Sequence, residues 1–535
     1  MRTSPTLFDP IQVEVWRHLL AAVAEEMGAS LERTAYSPNI KERLDHSCAL
    51  FDSKGRLLAQ AAHIPVHLGA MPLMMQALLP RVDWRPGVMW LCNDPRVGGT
   101  HLPDLTLVAP VYAGRTRLGF VASRAHHADI GGLSPGSLPL STELFHEGII
   151  LSPIRLVERG RIREDVLELV CSNSRTPQER RGDLAAQVAA NETGSQRLQG
   201  LIERYGLPEF RKRTEENIAY AAAAIRRVLR ELPAGTGTAT ELLDDDGAGA
   251  TDIPIHVTVT VRTNGTILFD FTGSAPQVRG SLNATEAITR SACYYVVRCL
   301  VEEEIPTNEG CFAPVEVIAP EGTLVNARFP AAVAAGNVET SQRIVDTLLR
   351  ALAPFAPHRI PAASQGTMNN LTIGGYDALR ERPFAYYETI AGGAGGSPQG
   401  AGVSAIQIHM TNTRNTPVET LESHYPLRVL ELSVAQGTGG AGKHAGGNGL
   451  IRRLELLTEA RVSLLTERRT HSPYGLAGGE PGTPGVNHLR IPQQDTLDLP
   501  GKWSGACPVH SELTIRTPGG GGWGAPVPLL PENER

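Results

Sequence analysis

The chain has 535 residues, 41% hydrophobic and 20% charged, enough to bury a full core and to build several lobes. Its 50 basic and 56 acidic residues leave a formal charge of -6 without a long basic run, so nucleic-acid binding lacks the cationic surface it depends on. No apolar stretch approaches a membrane span, and Met1 to Pro10 lacks the basic-then-apolar pattern of a secretory signal, so the expectation is a cytoplasmic protein with no membrane partner.

Asp9-Pro10 reads as a helix start, with Ile11, Val15, Leu19, Val23 and Met27 following at helical spacing. Cys48 to Ala59 reads as strand, turn, strand, and Val88 to Cys92 as a buried strand that ends in Asn93-Asp94-Pro95. Leu105–Tyr112 and Leu118–Arg124 read as a hairpin. Two helices follow, Asp183–Tyr205 and Glu209–Leu232, broken at Gly206-Leu207-Pro208 and read as an antiparallel pair. His256 to Phe271 alternates about Asn264-Gly265, the strongest local signal for a hairpin. Helices are expected over 285–302 and 338–354. Beyond about 360 glycine-rich segments predict tight turns and close backbone approaches among strands such as Leu450–Leu457. The expected fold class is mixed α and β and multi-lobed, with an α+β N-terminal half carrying the metal-site hairpin and a glycine-rich β C-terminal half with helices. The expected regions are 1–235, 236–360 and 361–535. Seven cysteines from Cys48 to Cys507 include no Cys-x-x-Cys, which points to reduced, mostly buried thiols.

The chemistry concentrates in Asn93 to Asp104 and Ala125 to Asp129, where His101, His126, His127, Asp94, Asp104 and Asp129 fall close together in the chain. His101 and Asp104 flank a tight turn at Pro103. If the hairpin turn is centred on Arg115, Asp104 stands opposite His126 with β-carbons about 5 Å apart, close enough to share a metal ion. Two imidazoles and one carboxylate leave coordination positions open, which suits a catalytic Mn, Zn or Fe. His127, Asp129 and Asp94 are then candidates for acid/base work or for orienting the ligands. The competing reading is that all of these are polar loop residues bonded to backbone amides. A one-residue slip of register would also separate Asp104 from His126.

Other positions carry weaker signals. His63 and His67 flank Pro65, which opposes a shared helical face and favours structural histidines. Glu143 and Arg175 are candidate substrate contacts, with surface or ion-paired roles as the alternative. No P-loop, dinucleotide fingerprint or Gly-x-Ser-x-Gly elbow is present, so the chain shows no nucleotide site of its own and no serine-triad opening.

Several stretches together carry a family resemblance: Ser37-Pro38-Asn39-Ile40-Lys41-Glu42-Arg43, His63 to Gly69, Asn93 to Asp104, Ser123 to Asp129, Ala335-Gly336-Asn337-Val338-Glu339-Thr340, His409-Met410-Thr411-Asn412-Thr413 and Thr517 to Gly522. On these the sequence resembles the hydantoinase B and 5-oxoprolinase family, which is related to the α subunits of acetone and acetophenone carboxylases. The resemblance implies an ATP-using partner, a hydantoinase A-type subunit, that phosphorylates a carbonyl oxygen. The metal-containing B-type subunit of the hetero-oligomer would then act on the activated small molecule. It also implies that a His-x-x-Asp pair and a later histidine hold the divalent metal, here His101, Asp104 and His126. In the hydantoinase branch the outcome is hydrolysis of a cyclic amide; the alternatives are a ketone carboxylase α subunit and a non-catalytic scaffold for the ATP-using subunit. Length favours the hydantoinase branch. Ala401, where relatives often carry aspartate, is a local departure.

Overall fold

The computed structural model describes residues 8–61 and 64–526. Ten α-helices lie within them: α1 (Pro10–Thr34), α2 (Pro38–Lys41), α3 (His67–Leu78), α4 (Glu164–Ser172), α5 (Pro177–Tyr205), α6 (Leu207–Glu231), α7 (Glu286–Cys299), α8 (Glu309–Phe312), α9 (Ser341–Leu352) and α10 (Val418–His424). Asp9 caps α1 as its position before Pro10 predicts, accepting from the amides of Ile11 and Gln12. Gly206 alone separates α5 from α6. No helix among the described residues is long and apolar enough to cross a membrane.

The N-terminal region is built on β1 (His46–Asp52), β2 (Leu57–Gln60), β3 (Met89–Cys92), β4 (Asp104–Ala113), β5 (Thr116–His126), β6 (Ile154–Glu158) and β7 (Arg161–Ile162). They form one antiparallel sheet in the order β2-β1-β5-β4-β3-β6-β7. Both faces are covered, which is why β4 is apolar along nearly its whole length instead of alternating. Leu105, Leu107, Ala109 and Val111 join a core with α1 and α5, whereas Val108 joins Met71, Met74 and Met75 of α3.

β8 (Gly235–Asp245), β9 (Thr251–Val261), β10 (Ile267–Asp270) and β11 (Val315–Ile318) make a second sheet, ordered β11-β10-β9-β8. Here one face is wet, and β9 buries Ile253, Ile255, Val257, Val259 and Val261 while the residues between them are partly exposed. The turn at Asn264-Gly265 pairs Val261 with Ile267, and Gly265 takes the left-handed φ of +79° that the turn requires. The same apolar core runs from Ala49 and Phe51 through these strands to α7 and α9, so residues on both sides of position 235 share it.

The C-terminal strands are β12 (Asn370–Asp377), β13 (Arg382–Glu388), β14 (Leu427–Ala435), β15 (Gly449–Leu456), β16 (Ala460–Leu465), β17 (Val486–Arg490), β18 (Thr496–Leu499), β19 (Lys502–Cys507) and β20 (Glu512–Arg516). They split into sheets ordered β13-β12-β16-β19 and β14-β15-β20-β17-β18 around a third core. The glycine-rich segments among them pack backbone on backbone. Gly520 donates to the Gly447 carbonyl at 2.9 Å and Gly447 to the Ala394 carbonyl at 2.8 Å. A β-carbon on Gly520 would fall 2.0 Å from the Ala394 oxygen, so close approach is what glycine supplies here. All seven cysteines are free thiols, and only Cys299 is exposed.

Candidate metal centre

β3 delivers the chain to Asn93, whose side chain fixes the loop: its oxygen accepts from the Leu151 amide at 2.7 Å and its amide donates to the Leu102 and Ile149 carbonyls. Asp94 accepts from the Arg96 amide at 2.9 Å and so caps the short 3₁₀ turn Pro95–Val97. Gly98 then takes φ +80°, and a β-carbon there would lie 2.6 Å from the Met74 nitrogen, so the loop lies directly on the α3 backbone. His101 follows, and Asp104 opens β4.

The hairpin pairs Asp104 with His126. The turn itself is centred half a residue before Arg115, since Ala113 pairs with Thr116, and an irregularity between Val111 and Tyr112 restores the register before the strand end. Ala125 faces the α1/α5 core, so strand alternation turns His126, with its partner Asp104, toward α3.

One nitrogen or oxygen from each of His101, Asp104 and His126 lies within 4.8 Å of the others, with all three residues buried. Asp104 Oδ1 is 3.2 Å from His101 Nε2 and 3.5 Å from His126 Nδ1. Asp104 Oδ2 is held separately, accepting from the Thr100 hydroxyl at 2.6 Å with His67 Nε2 at 3.3 Å. His101 Nδ1 donates to the Ala334 carbonyl at 3.3 Å, which leaves the lone pair on Nε2, where the Asn337 amide donates at 3.1 Å. A lone pair on Nε2 facing a carboxylate oxygen at 3.2 Å calls for a cation or a proton between them. His126 Nε2 is buried with no hydrogen-bond partner, and a cavity of about 20 Å³, room for one small ion or water, opens between His67, Asp104, His126, Asn337 and Tyr387. These residues fit a divalent ion with open positions.

Burial works against charge throughout. It would push the Asp104 carboxyl up, but His101 and His67 outweigh it and hold Asp104 well below the usual carboxylate range. It also opposes the charged form of His101, and Asp104 overcomes it and raises that ring. Burial dominates at His126, driven down to about 3, and at Asp45, pushed up to about 7 against the pull of Arg43. Tyr387 stacks on the His126 ring at 4.6 Å and 16°, and its hydroxyl donates to Asn370 Oδ1 at 3.0 Å.

The other sequence candidates lie outside this cluster. His127, one residue on and so on the opposite face, donates from Nε2 to Gln187 of α5 at 3.0 Å. Asp129 ties down its own loop, accepting from the amides of Gly131, Gly136 and Arg175 and from the Arg175 guanidinium at 3.0 Å. Asp94 is engaged with Arg96 and Ser152. Glu143 pairs with His146, and Arg175, beyond its bond to Asp129, donates to the Gly132 carbonyl. His63 falls outside the described residues. Sequence reasoning missed His67, Thr100, Asn337 and Tyr387 as contacts of the cluster. His67 follows Pro65 at the first position of α3, and only the packing of α3 onto the sheet brings it to Asp104. Asn337 sits on a π-helical turn, Gly336–Thr340, a local widening that often accompanies functional sites and that has no periodicity to read.

Residues 9–526 match the family model described as Hydantoinase B/oxoprolinase. A 5-oxoprolinase of Dictyostelium discoideum is 40% identical over 542 residues, which is 99% of this chain and 42% of the relative. The chain thus spans less than half the length of the curated 5-oxoprolinases it matches first. The crystal structure of ATP-dependent caprolactamase from Pseudomonas jessenii superposes with a TM-score of 0.90 at 27% identity, covering 97% of this chain and 92% of that one. An acetone carboxylase in its nucleotide-free form also reaches 0.90, at 18% identity over 98% of this chain and 77% of that one, a likeness of fold.

Proposed function

The chain belongs to the hydantoinase B/oxoprolinase family, and on that footing we propose that it is the metal-holding subunit of an ATP-dependent cyclic amide hydrolase. Its substrate is a small ring amide whose carbonyl oxygen an ATP-using, hydantoinase A-type partner subunit phosphorylates. Amide resonance makes a lactam carbonyl a poor electrophile, and phosphorylation of its oxygen removes that resonance and installs a leaving group. The family match and the likeness to an ATP-dependent caprolactamase support this reading.

The observation that carries the reading is the buried meeting of His101 Nε2, Asp104 Oδ1 and His126, with Asp104 and His126 also lining a cavity of ion size. Those three residues would hold a divalent Mn, Zn or Fe, and such an ion supplies Lewis acidity toward a carbonyl or phosphoryl oxygen. The protein's own residues set the stage. Thr100 and His67 fix the rotation of the Asp104 carboxylate, Ala334 fixes the tautomer of His101, and Tyr387, Met368 and Met410 wall the cavity with apolar surface. Low dielectric there strengthens every charge interaction. Asp94, His127 and Asp129 support the loop and strand end from outside.

The test is metal analysis of the purified chain followed by turnover with its A-type partner. The expected result is one bound divalent ion, lost in His101→Ala, and ATP-driven ring opening only in the two-subunit complex. A metal-free wild type would leave a scaffold, ATP-driven ring opening by this chain alone would remove the two-subunit picture, and bicarbonate-dependent ATP turnover would identify a carboxylase.

A further inference from the structure

A second cavity, of about 390 Å³, opens beside Pro38, one residue before the Asn39 whose amide donates to the His126 carbonyl. Its volume lies in the range of small-molecule sites. Pro38, Pro177, Pro383 and Phe384 give it apolar walls, and three polar features converge on it.

The first is Tyr425. Its ring is packed against Tyr386 at 5.0 Å and Phe384 at 6.3 Å, the residue is 5% exposed, and it lines the cavity with its hydroxyl making no hydrogen bond among the described residues. A tyrosine whose ring is buried and whose edge lines a cavity offers its hydroxyl to whatever fills that cavity. The second is the start of α5, a helix of 29 residues whose N-cap, Thr176, provides no side-chain cap. The amides of Gln178 and Glu179 are left without backbone partners, at the positive end of the helix dipole. The third is Arg382 at the start of β13. It donates to the His424 carbonyl at 3.3 Å and has no carboxylate within ion-pair distance among the described residues. Glu179, the one acid in the lining, faces the Arg180 guanidinium at 3.3 Å, and Arg175 is taken by Asp129.

We propose that this cavity binds a small carboxylate with an apolar or aromatic body. The carboxylate meets Arg382, the α5 amides and the Tyr425 hydroxyl, while the body lies against Phe384 and the prolines. A bare inorganic anion would leave the apolar walls wet, and a neutral apolar molecule would leave the donors unpaired. The site is separate from the metal cluster and stands whether or not an ion is bound there.

The experiment is calorimetric titration of the full chain with benzoate, with benzyl alcohol and acetate as controls lacking the charge and the body. Saturable binding of one benzoate is expected, with both controls weaker by about tenfold or more. Tyr425→Phe should weaken benzoate by about fivefold and Arg382→Gln by about tenfold, with unchanged melting temperatures. Should one variant fold poorly, the other decides. No saturable benzoate binding, acetate binding as tightly as benzoate, or wild-type affinity in the folded variants would overturn the proposal.

Discussion

His67 Nε2 lies 3.3 Å from Asp104 Oδ2, the oxygen turned away from His101 and His126. Asp104 therefore divides its carboxylate: Oδ1 looks into the cluster, and Oδ2 is clamped from behind by His67 and Thr100. His67→Leu should fold, keep His101, Asp104 and His126 in place, and bind a divalent ion about 10- to 100-fold more weakly, as expected when a group orienting a ligand is lost. Titration of the apo-protein with Zn or Mn measures it, and an unchanged affinity would assign His67 to packing alone.

Asp104 and His127 should separate cleanly in mutagenesis. Asp104→Asn removes the charge that balances the imidazoles and should abolish bound metal. His127→Leu leaves Gln187 Oε1 without its donor on the α5 side, which should lower stability by about 1–3 kcal/mol while metal content stays at the wild-type level. Metal analysis and thermal unfolding of both variants read the difference.

Glu147 gives the protein a pH-dependent stability term. Its Oε1 accepts from the Ser141 hydroxyl at 2.7 Å and from the amides of Val333 and Ala334 at 2.8 and 3.0 Å, and burial pushes its carboxyl from the usual 4.5 up to about 7. With the folded-state value raised, the stabilising contribution is complete below pH 4.5 and is lost as pH rises through about 7, amounting to about 3 kcal/mol. Glu147→Gln keeps the acceptor and removes the titration. Denaturation midpoints at pH 5 and pH 8 should differ less in the variant than in the wild type, and parallel pH curves would refute the assignment.

The glycine packing makes a sharp steric prediction. Gly520→Ala puts a β-carbon 2.0 Å from the Ala394 oxygen, in backbone that cannot move aside, and should lower the melting temperature severely or prevent folding. Gly400→Ala meets nothing within 4 Å and should be neutral or slightly stabilising. Equal melting temperatures for the two would argue against the backbone-on-backbone arrangement.

The sequence by itself determined the elements whose signal is local. The Asp9-Pro10 cap, the Asn264-Gly265 hairpin and the helix expected over 338–354, observed as Ser341–Leu352, are all found where their patterns place them, because each depends on neighbours a few residues apart. The pairing of Asp104 with His126 was within reach for the same reason, since a hairpin turn fixes its own register, though a bulge had to compensate a turn centred half a residue away. Tertiary structure alone decided the remainder. His67 reaches Asp104 from 37 residues away. Asn337 reaches His101 from 236 residues away, and Tyr387 stacks on His126 across a different sheet. It also decided that His127 faces α5, because one step along a strand reverses the side chain and only the packing of the two faces says which side holds the cavity. Contacts at such separation follow from which apolar faces bury against each other, and no local pattern encodes that choice.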